Sequence, residues 1–206
     1  MRPGLGTLTL LLAAVPVAAD DLNVEITPFV SYRFGGTFDL EGSTASYEVE
    51  DSEAVGLLLN LRKSGNTQWE VLYSLQQSTA RLRGSTLTAP AVDTDIHVLQ
   101  FGGTYQGDGD KFRPYVAMTI GGTHIKTVAN GSQSDSFFSG SIGVGLNMTP
   151  NSRLGIRLEA RAYGTLMNSS TSLFCQTGPN NNVCAVRIDG NLLSQFEALA
   201  GVVFRF

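Results

Sequence analysis

Hydrophobic and polar residues alternate with a period of two in eight segments of the chain. In the last segment Phe196, Val202 and Phe204 share one face, while Glu197 and Arg205 share the other. A period of two is the geometry of a β-strand with two unlike faces. The alternation predicts strands at 23–34, 52–62, 67–78, 94–106, 111–123, 135–148, 152–166 and 192–206. Apolar residues face outward more often than a soluble core needs, which indicates a transmembrane β-barrel.

The connections between these strands alternate in length. Three are short, at 63–66, 107–110 and 149–151, and four are long, at 35–51, 79–93, 124–134 and 167–191. Outer-membrane barrels place short turns in the periplasm and long loops outside, so both termini are periplasmic and the strand number is even. The predicted fold is all-β, an eight-stranded antiparallel up-and-down transmembrane barrel. Pro28 interrupts the first strand, where we expect a bulge or a local break.

The composition agrees with a membrane barrel. Hydrophobic residues make up 42% of the chain, charged residues 16%, and mean hydropathy is +0.04. A helical span needs about 20 consecutive apolar residues, and no stretch after the first twenty residues provides them. A barrel strand needs only about 9 to 11 alternating residues, so a mean hydropathy near zero is compatible with this class.

The N-terminus has the pattern of a cleaved export signal. Arg2 supplies a positive charge, 8–15 an apolar stretch, and 17–19 a small-residue cleavage site. The apolar stretch is too short for a membrane anchor. We expect 1–19 to be removed and 20–206 to form the barrel domain, exported to the outer membrane of a Gram-negative-type cell envelope.

Cys175 and Cys184 lie close together in a stretch without a strand pattern. Exported loops experience oxidising conditions, so we predict a disulfide bond between them. Such a short ring stabilises a protein by about 2 to 3 kcal/mol on the chain-entropy model. Metal binding by the two thiolates is the weaker alternative, because neither His97 nor His124 is near in sequence.

The chain is acidic, with 14 basic and 18 acidic residues. Loss of Arg2 with the signal changes the formal net charge from −4 to −5. Nucleic acid is therefore not an expected partner. The acidic residues are concentrated in one predicted loop, at Asp39, Glu41, Glu48, Glu50, Asp51 and Glu53.

Charged residues of both signs face the predicted lumen. They are Glu25, Arg33, Arg62, Glu70, Arg113, Arg157, Glu159, Arg161, Glu197 and Arg205. Side chains fill the interior of an eight-stranded barrel, and isolated buried charges are costly, so we expect these residues to pair or to be hydrated. Arg161 with Glu197 and Arg205 with Glu25 are the predicted neighbours. We interpret this network as structural, with a small conducting path as the alternative.

Five segments carry a resemblance to a known group of proteins. They are 26–36 (ITPFVSYRFGG), 113–116 (RPYV), 153–161 (RLGIRLEAR), 195–198 (QFEA) and 201–206 (GVVFRF). In these segments the chain resembles the small outer-membrane β-barrel proteins of the OmpA-, OmpX- and OmpW-like group, and in particular a proteobacterial subset of it. The resemblance implies that the terminal aromatics Phe204 and Phe206 are an assembly signal for the barrel-assembly machinery.

Members of the wider group serve as anchors, adhesins, channels or lipid-modifying enzymes, so the resemblance does not select one function. We expect a non-enzymatic, monomeric outer-membrane protein with a structural or surface-interaction role, in contact with outer-membrane lipids and lipopolysaccharide. No cofactor is expected. The alternatives are a small-solute channel and a lipid-modifying enzyme that uses His97 or His124 with a nearby hydroxyl and carboxylate, such as Asp95.

Overall fold

The computed structural model describes residues 24–39, 46–83, 91–127, 134–148, 153–167, 176–177, 182–183 and 192–206. The strands within these ranges are Val24–Phe34 (β1), Thr37–Asp39 (β2), Ser46–Val49 (β3), Ser52–Ser64 (β4), Thr67–Arg83 (β5), Val92–Gln106 (β6), Phe112–Thr127 (β7), Ser134–Met148 (β8), Leu154–Leu166 (β9), Gln176–Thr177 (β10), Asn182–Val183 (β11) and Leu192–Arg205 (β12). None of the described residues belongs to a helix long and apolar enough to cross a membrane.

Eight of these strands close into one antiparallel ring, in the order β1, β4, β5, β6, β7, β8, β9 and β12. The ring closes where β1 pairs with β12, with Glu25 opposite Arg205 at one end and Phe34 opposite Phe196 at the other. Closure leaves the eight ring strands without a free edge, so most of their backbone groups pair within the sheet rather than with water. The predicted eight-stranded barrel is confirmed, and each predicted strand overlaps an observed one.

Side chains alternate between the lumen and the outer surface along the ring strands. On β12, Leu193, Glu197 and Leu199 are buried, whereas Phe196 and Val202 are about half exposed. Other exposed apolar side chains of the outer surface are Val30, Leu57, Phe101, Met118, Ile142 and Leu158. An apolar surface that surrounds the ring suits acyl chains rather than water.

At the end with the long connections, the sheet extends further than the hydrophobic pattern predicts. β5 continues to Arg83, and β3 pairs with this extension. β2 follows β1 after Gly35 and Gly36, whose φ angles are 81° and 119°, and pairs with β3. Parts of 35–51 and 79–93, predicted as loops, are therefore strand. Hydrophobic alternation marks only the lipid-facing part of a strand, whereas backbone pairing continues beyond it.

Pro28 interrupts one ladder without ending the strand. It lies opposite Leu57 of β4 in continuous register. On the β12 side, pairing stops after Ile26 and resumes at Phe29 in the same register. The expected local break is confirmed, and no bulge forms, because the missing N–H removes a ladder bond without adding a residue.

Candidate functional site in the lumen and at the outer rim

Four charged side chains cross the middle of the lumen. Arg157, Glu159 and Arg161 point inward from β9 because they are alternate residues of one strand, and Glu70 points inward from β5 on the opposite wall. Glu70 accepts hydrogen bonds from Arg157 at 2.8 Å and from Arg161 at 2.7 Å. Glu159 accepts from Arg157 at 2.7 Å and also from Arg161. We call these four residues the central cluster.

Neutral groups complete the central cluster. Tyr115 donates a hydrogen bond to Glu159 at 2.6 Å. Asn60 and Thr104 donate to Glu70 at 3.1 Å and 2.9 Å. All four carboxylate oxygens are therefore engaged, and the two positive charges balance the two negative ones. Full pairing and hydrogen bonding make a buried charge cluster tolerable, whereas a half-satisfied one is strongly destabilising.

A second ion pair lies nearer the long-loop end. Arg33 donates to Glu197 through Nε at 2.9 Å and to Ser74 at 2.9 Å. Tyr163 donates to Glu197 at 3.0 Å, and the Arg33 guanidinium lies 4.3 Å from the centre of the Tyr163 ring. Glu197 and Arg161 are neighbours in register, as predicted, but the ion pair expected from this position is not formed. Glu197 pairs instead with Arg33 on its other neighbouring strand, and Arg161 belongs to the central cluster.

A third ion pair lies at the short-turn end, where Arg205 donates to Glu25 at 2.9 Å, as the sequence predicts. Two other arginines predicted for the network lie outside it. Arg62 is exposed, and Arg113 donates to the carbonyl of Gly109 at 2.8 Å. Both line a polar cavity of about 340 Å³ at this mouth, because the strands end there and long side chains reach water.

A group of apolar side chains lies in the lumen at the opposite, long-loop end, beside buried polar side chains such as Gln76, which is directly opposite Ile96. The apolar side chains come from the strand ends nearest the long connections, and they are Val49, Ala80, Ile96, Ile125, Phe137, Met167 and Leu193. We call this group the apolar cap. Below it, Leu58, Leu72 and Leu199 are buried among the charged groups. From the long-loop end to the short-turn end, the lumen therefore contains the apolar cap, the Arg33–Glu197 ion pair, the central cluster and the Arg205–Glu25 ion pair.

A row of polar side chains lies on the outer face of four neighbouring strands. His97 of β6 is opposite His124 of β7 in register, with ring centres 6.3 Å apart. His97 Nδ1 lies 3.0 Å from the Tyr73 hydroxyl of β5, and His124 Nδ1 lies 2.9 Å from the Ser136 hydroxyl of β8. A serine–histidine contact is the start of a nucleophilic relay. His97, however, contacts the Tyr73 phenol. Asp95, the carboxylate of the hypothesised relay, accepts a hydrogen bond from Gln77 of β5 at 3.2 Å.

Comparison with solved structures identifies the class of fold. No protein-family model and no curated protein sequence matches the chain. Neisserial surface protein A matches it with a TM-score of 0.62 and 11% identity, over 89% of this chain and 97% of that chain. The outer membrane protein OprG from Pseudomonas aeruginosa gives a TM-score of 0.56 and 12% identity, over 90% and 96%. The chain has the fold of a small outer-membrane β-barrel.

The shared fold supports an integral outer-membrane protein. In a barrel of this class the short turns face the periplasm, so the apolar cap lies at the extracellular end and the Arg205–Glu25 pair at the periplasmic end. The outer membrane protease OmpT from Escherichia coli also matches, with a TM-score of 0.46 and 10% identity.

The last residue of the barrel takes part in closing the ring. The backbone N–H of Phe206 donates to the carbonyl of Val24 at 3.0 Å, and the N–H of Val24 donates in return at 3.3 Å. The Phe206 ring is 55% exposed, on the outer surface. An assembly role for Phe204 and Phe206 stays a prediction.

Cys175 and Cys184 lie outside the described residues. Between them, β10 and β11 pair antiparallel, with Gln176 opposite Val183. The disulfide bond stays a prediction. Of the acidic segment, Glu50 is partly exposed and forms an ion pair with Arg81 at 2.8 Å, beside the β3–β5 extension.

The alternation along the sequence does not predict several contacts of the central cluster and of the outer row. Asn60 and Thr104 are inward positions of β4 and β6, so the period of two could have assigned them to the lumen. Their contact with Glu70 depends on the cross-strand register, which the pattern does not contain. The contact of Tyr73 with His97 is diagonal, since His97 is directly opposite Leu75, and it also needs the register.

Proposed function

We propose that this chain is an integral outer-membrane barrel with a closed lumen, which acts as a structural or surface-interacting protein and does not conduct solutes. The central cluster carries this proposal, because it links β5 to β9 across the lumen through ion pairs with no exposed side chain. The apolar cap supports it further. Opening a path would require breaking buried ion pairs and hydrating apolar side chains, both of which are costly.

Planar-bilayer conductance of the refolded protein tests the closed lumen. We expect no discrete conductance steps, while a general porin inserted under the same conditions gives them. The double variant Glu70→Gln with Glu159→Gln removes both carboxylates of the central cluster. Its conductance is compared with that of the wild type, because its lumen has lost the ion pairs that link β5 to β9. Regular steps from the wild-type protein would contradict the proposal and favour the small-solute channel.

The surface role is proposed for the long connections on the extracellular side. Two segments are the best candidates, the acidic segment 39–53 and the segment 167–191 that contains both cysteines. Loops on a rigid scaffold often carry binding functions. Acidic side chains of the first segment would share divalent cations with lipopolysaccharide phosphates. Deletion of each segment, with adhesion and serum survival as readouts, tests this role. Unchanged phenotypes for both deletions would leave only the structural role.

A lipid-modifying enzyme is the second candidate, and the contact of His124 with Ser136 is the observation that favours it. Both residues face outward, where they could meet a lipid. Incubation with labelled lipopolysaccharide, with Ser136→Ala as the matched control, separates the two functions. Because Asp95 is engaged by a glutamine and His97 by a phenol, we expect no acyl release from either protein. Release that Ser136→Ala abolishes would establish the enzyme.

A further inference from the structure

The row of polar side chains at the outer rim brings two imidazoles together. His97 and His124 are direct cross-strand neighbours on β6 and β7 and point to the same, outer side of the barrel. Direct neighbours on one face of an antiparallel pair have Cβ atoms about 4.5 to 5.5 Å apart, which is close enough for one ligand to contact both. The central cluster and the proposed closed lumen make no use of either ring.

The hydrogen bonds of this row involve one nitrogen of each ring. Nδ1 of His97 meets the Tyr73 hydroxyl, and Nδ1 of His124 meets the Ser136 hydroxyl. When Nδ1 donates its proton to such an oxygen, Nε2 carries the lone pair. Metal-binding histidines generally have this arrangement, with the second ring nitrogen fixed by a neighbouring oxygen. Tyr73 lies on β5 and Ser136 on β8, the two strands that flank β6 and β7. Each imidazole is therefore oriented by a hydroxyl group from the strand beside it.

We propose that His97 and His124 form a surface site for one divalent transition-metal ion of the Cu²⁺, Ni²⁺ and Zn²⁺ class, bound through the two Nε2 atoms. Imidazole suits these ions, whereas Ca²⁺ and Mg²⁺ prefer oxygen ligands. No group of three or more His, Cys, Asp or Glu side chains placed to hold a metal occurs among the described residues. Water would therefore complete the coordination, as it does at open metal sites.

The ring separation is compatible with this site after a small side-chain movement. A metal–nitrogen distance of about 2.0 to 2.1 Å places each ring centre about 3.2 Å from the ion. At the tetrahedral angle of a Zn²⁺ site the two ring centres would then be about 5.2 Å apart, and at the right angle of a tetragonal Cu²⁺ site about 4.5 Å apart, compared with 6.3 Å between these rings. Approach by about 1 to 2 Å is within the range of side-chain rotation. His124 is exposed and His97 half-buried, so neither ring is held by core packing.

The copper-binding affinity of the refolded, untagged protein tests the proposal. Isothermal titration with Cu²⁺ is compared for the wild type, His97→Asn, His124→Asn and the double variant, and electron paramagnetic resonance counts the coordinating nitrogens. Glu53→Gln is the matched control, because Glu53 is an exposed carboxylate on the neighbouring β4 and lies outside the row. Folding of each variant is checked by the altered migration of unheated barrel on a detergent gel.

We expect one Cu²⁺ per barrel, two nitrogen ligands, and at least a tenfold loss of affinity in each single-histidine variant. Glu53→Gln should bind like the wild type. Tyr73→Phe removes the oxygen that fixes His97 and should weaken binding about tenfold, the lower end for such supporting groups. The proposal is overturned if the wild type shows no saturable binding, if the double variant binds equally well, or if only one histidine affects affinity.

Discussion

Substitution of Glu70 by glutamine perturbs the lumen at its most connected carboxylate. Glu70 accepts from Arg157 at 2.8 Å and from Arg161 at 2.7 Å, with no exposure of the paired side chains. The variant keeps the shape of the side chain but leaves the central cluster with two positive charges and one negative charge. Removal of one partner from a buried ion pair costs about 3 to 5 kcal/mol, because the remaining charge is left unbalanced. We therefore expect Glu70→Gln to lower the free energy of unfolding by this amount.

Two further variants give reference values for this loss in the free energy of unfolding. Glu25→Gln breaks the ion pair at the periplasmic mouth, where the Arg205 and Glu25 side chains are 19% and 10% exposed, and should cost about 1.5 to 3 kcal/mol, less than Glu70→Gln because water partly screens this pair. Adding Arg157→Gln to Glu70→Gln restores equal numbers of positive and negative charges in the central cluster. The double variant should therefore be less destabilised than the sum of the single variants, with a coupling energy of about 1 to 3 kcal/mol.

Denaturant unfolding in lipid vesicles measures these differences. The chain has one tryptophan, Trp69, which lies on the outer surface with its ring stacked on Phe101 at 5.4 Å, so its fluorescence reports loss of the membrane-embedded barrel. Equal, small effects of Glu70→Gln and Glu25→Gln would refute the reasoning. They would mean that water screens the central cluster as well as the mouth, and the proposed closed lumen would lose its main support.

Three other predictions concern assembly, the loop and strand packing. Deletion of Phe206 should lower the yield of membrane-inserted barrel in cell fractions, and an unchanged yield would remove the assembly signal. Intact mass should show Cys175 and Cys184 joined, with two hydrogens fewer than the reduced protein, and reduction should cost about 2 to 3 kcal/mol in unfolding experiments. Gly102→Ala should destabilise by about 1 to 3 kcal/mol, because its new Cβ would overlap the β7 backbone, whereas Gly103→Ala has room and should cost less; equal losses would contradict this explanation.

The period-two pattern was sufficient to predict the barrel and the direction of most side chains. Each lipid-facing strand repeats the same apolar alternation, and alternation fixes which face of a strand is inside. It also placed Glu70 and Arg161 in the lumen. Their partners could not be derived in the same way, because a partner depends on register and on which wall a long side chain reaches.

The pairing of Glu197 illustrates this limit. Its direct neighbours in register are Arg161 on one side and Arg33 on the other, so both are equally near by topology. Tyr163 and Ser74 decide between them, since they hydrogen-bond the Arg33–Glu197 pair. The hydrophobic pattern also does not predict where the strands end. Outward side chains turn polar near Gln77, where the pattern stops, yet β5 continues to Arg83.

The ion pairs of the lumen each sum to zero, and so does the central cluster. The described ion pairs of the lumen thus add no net charge to the interior, and the formal net charge of −4 belongs to residues outside them. Exchange of residues in the extracellular segments would change the isoelectric point and the attraction of cations without altering the interior energetics. The surface of this barrel is therefore free to vary in charge while the inside stays fixed.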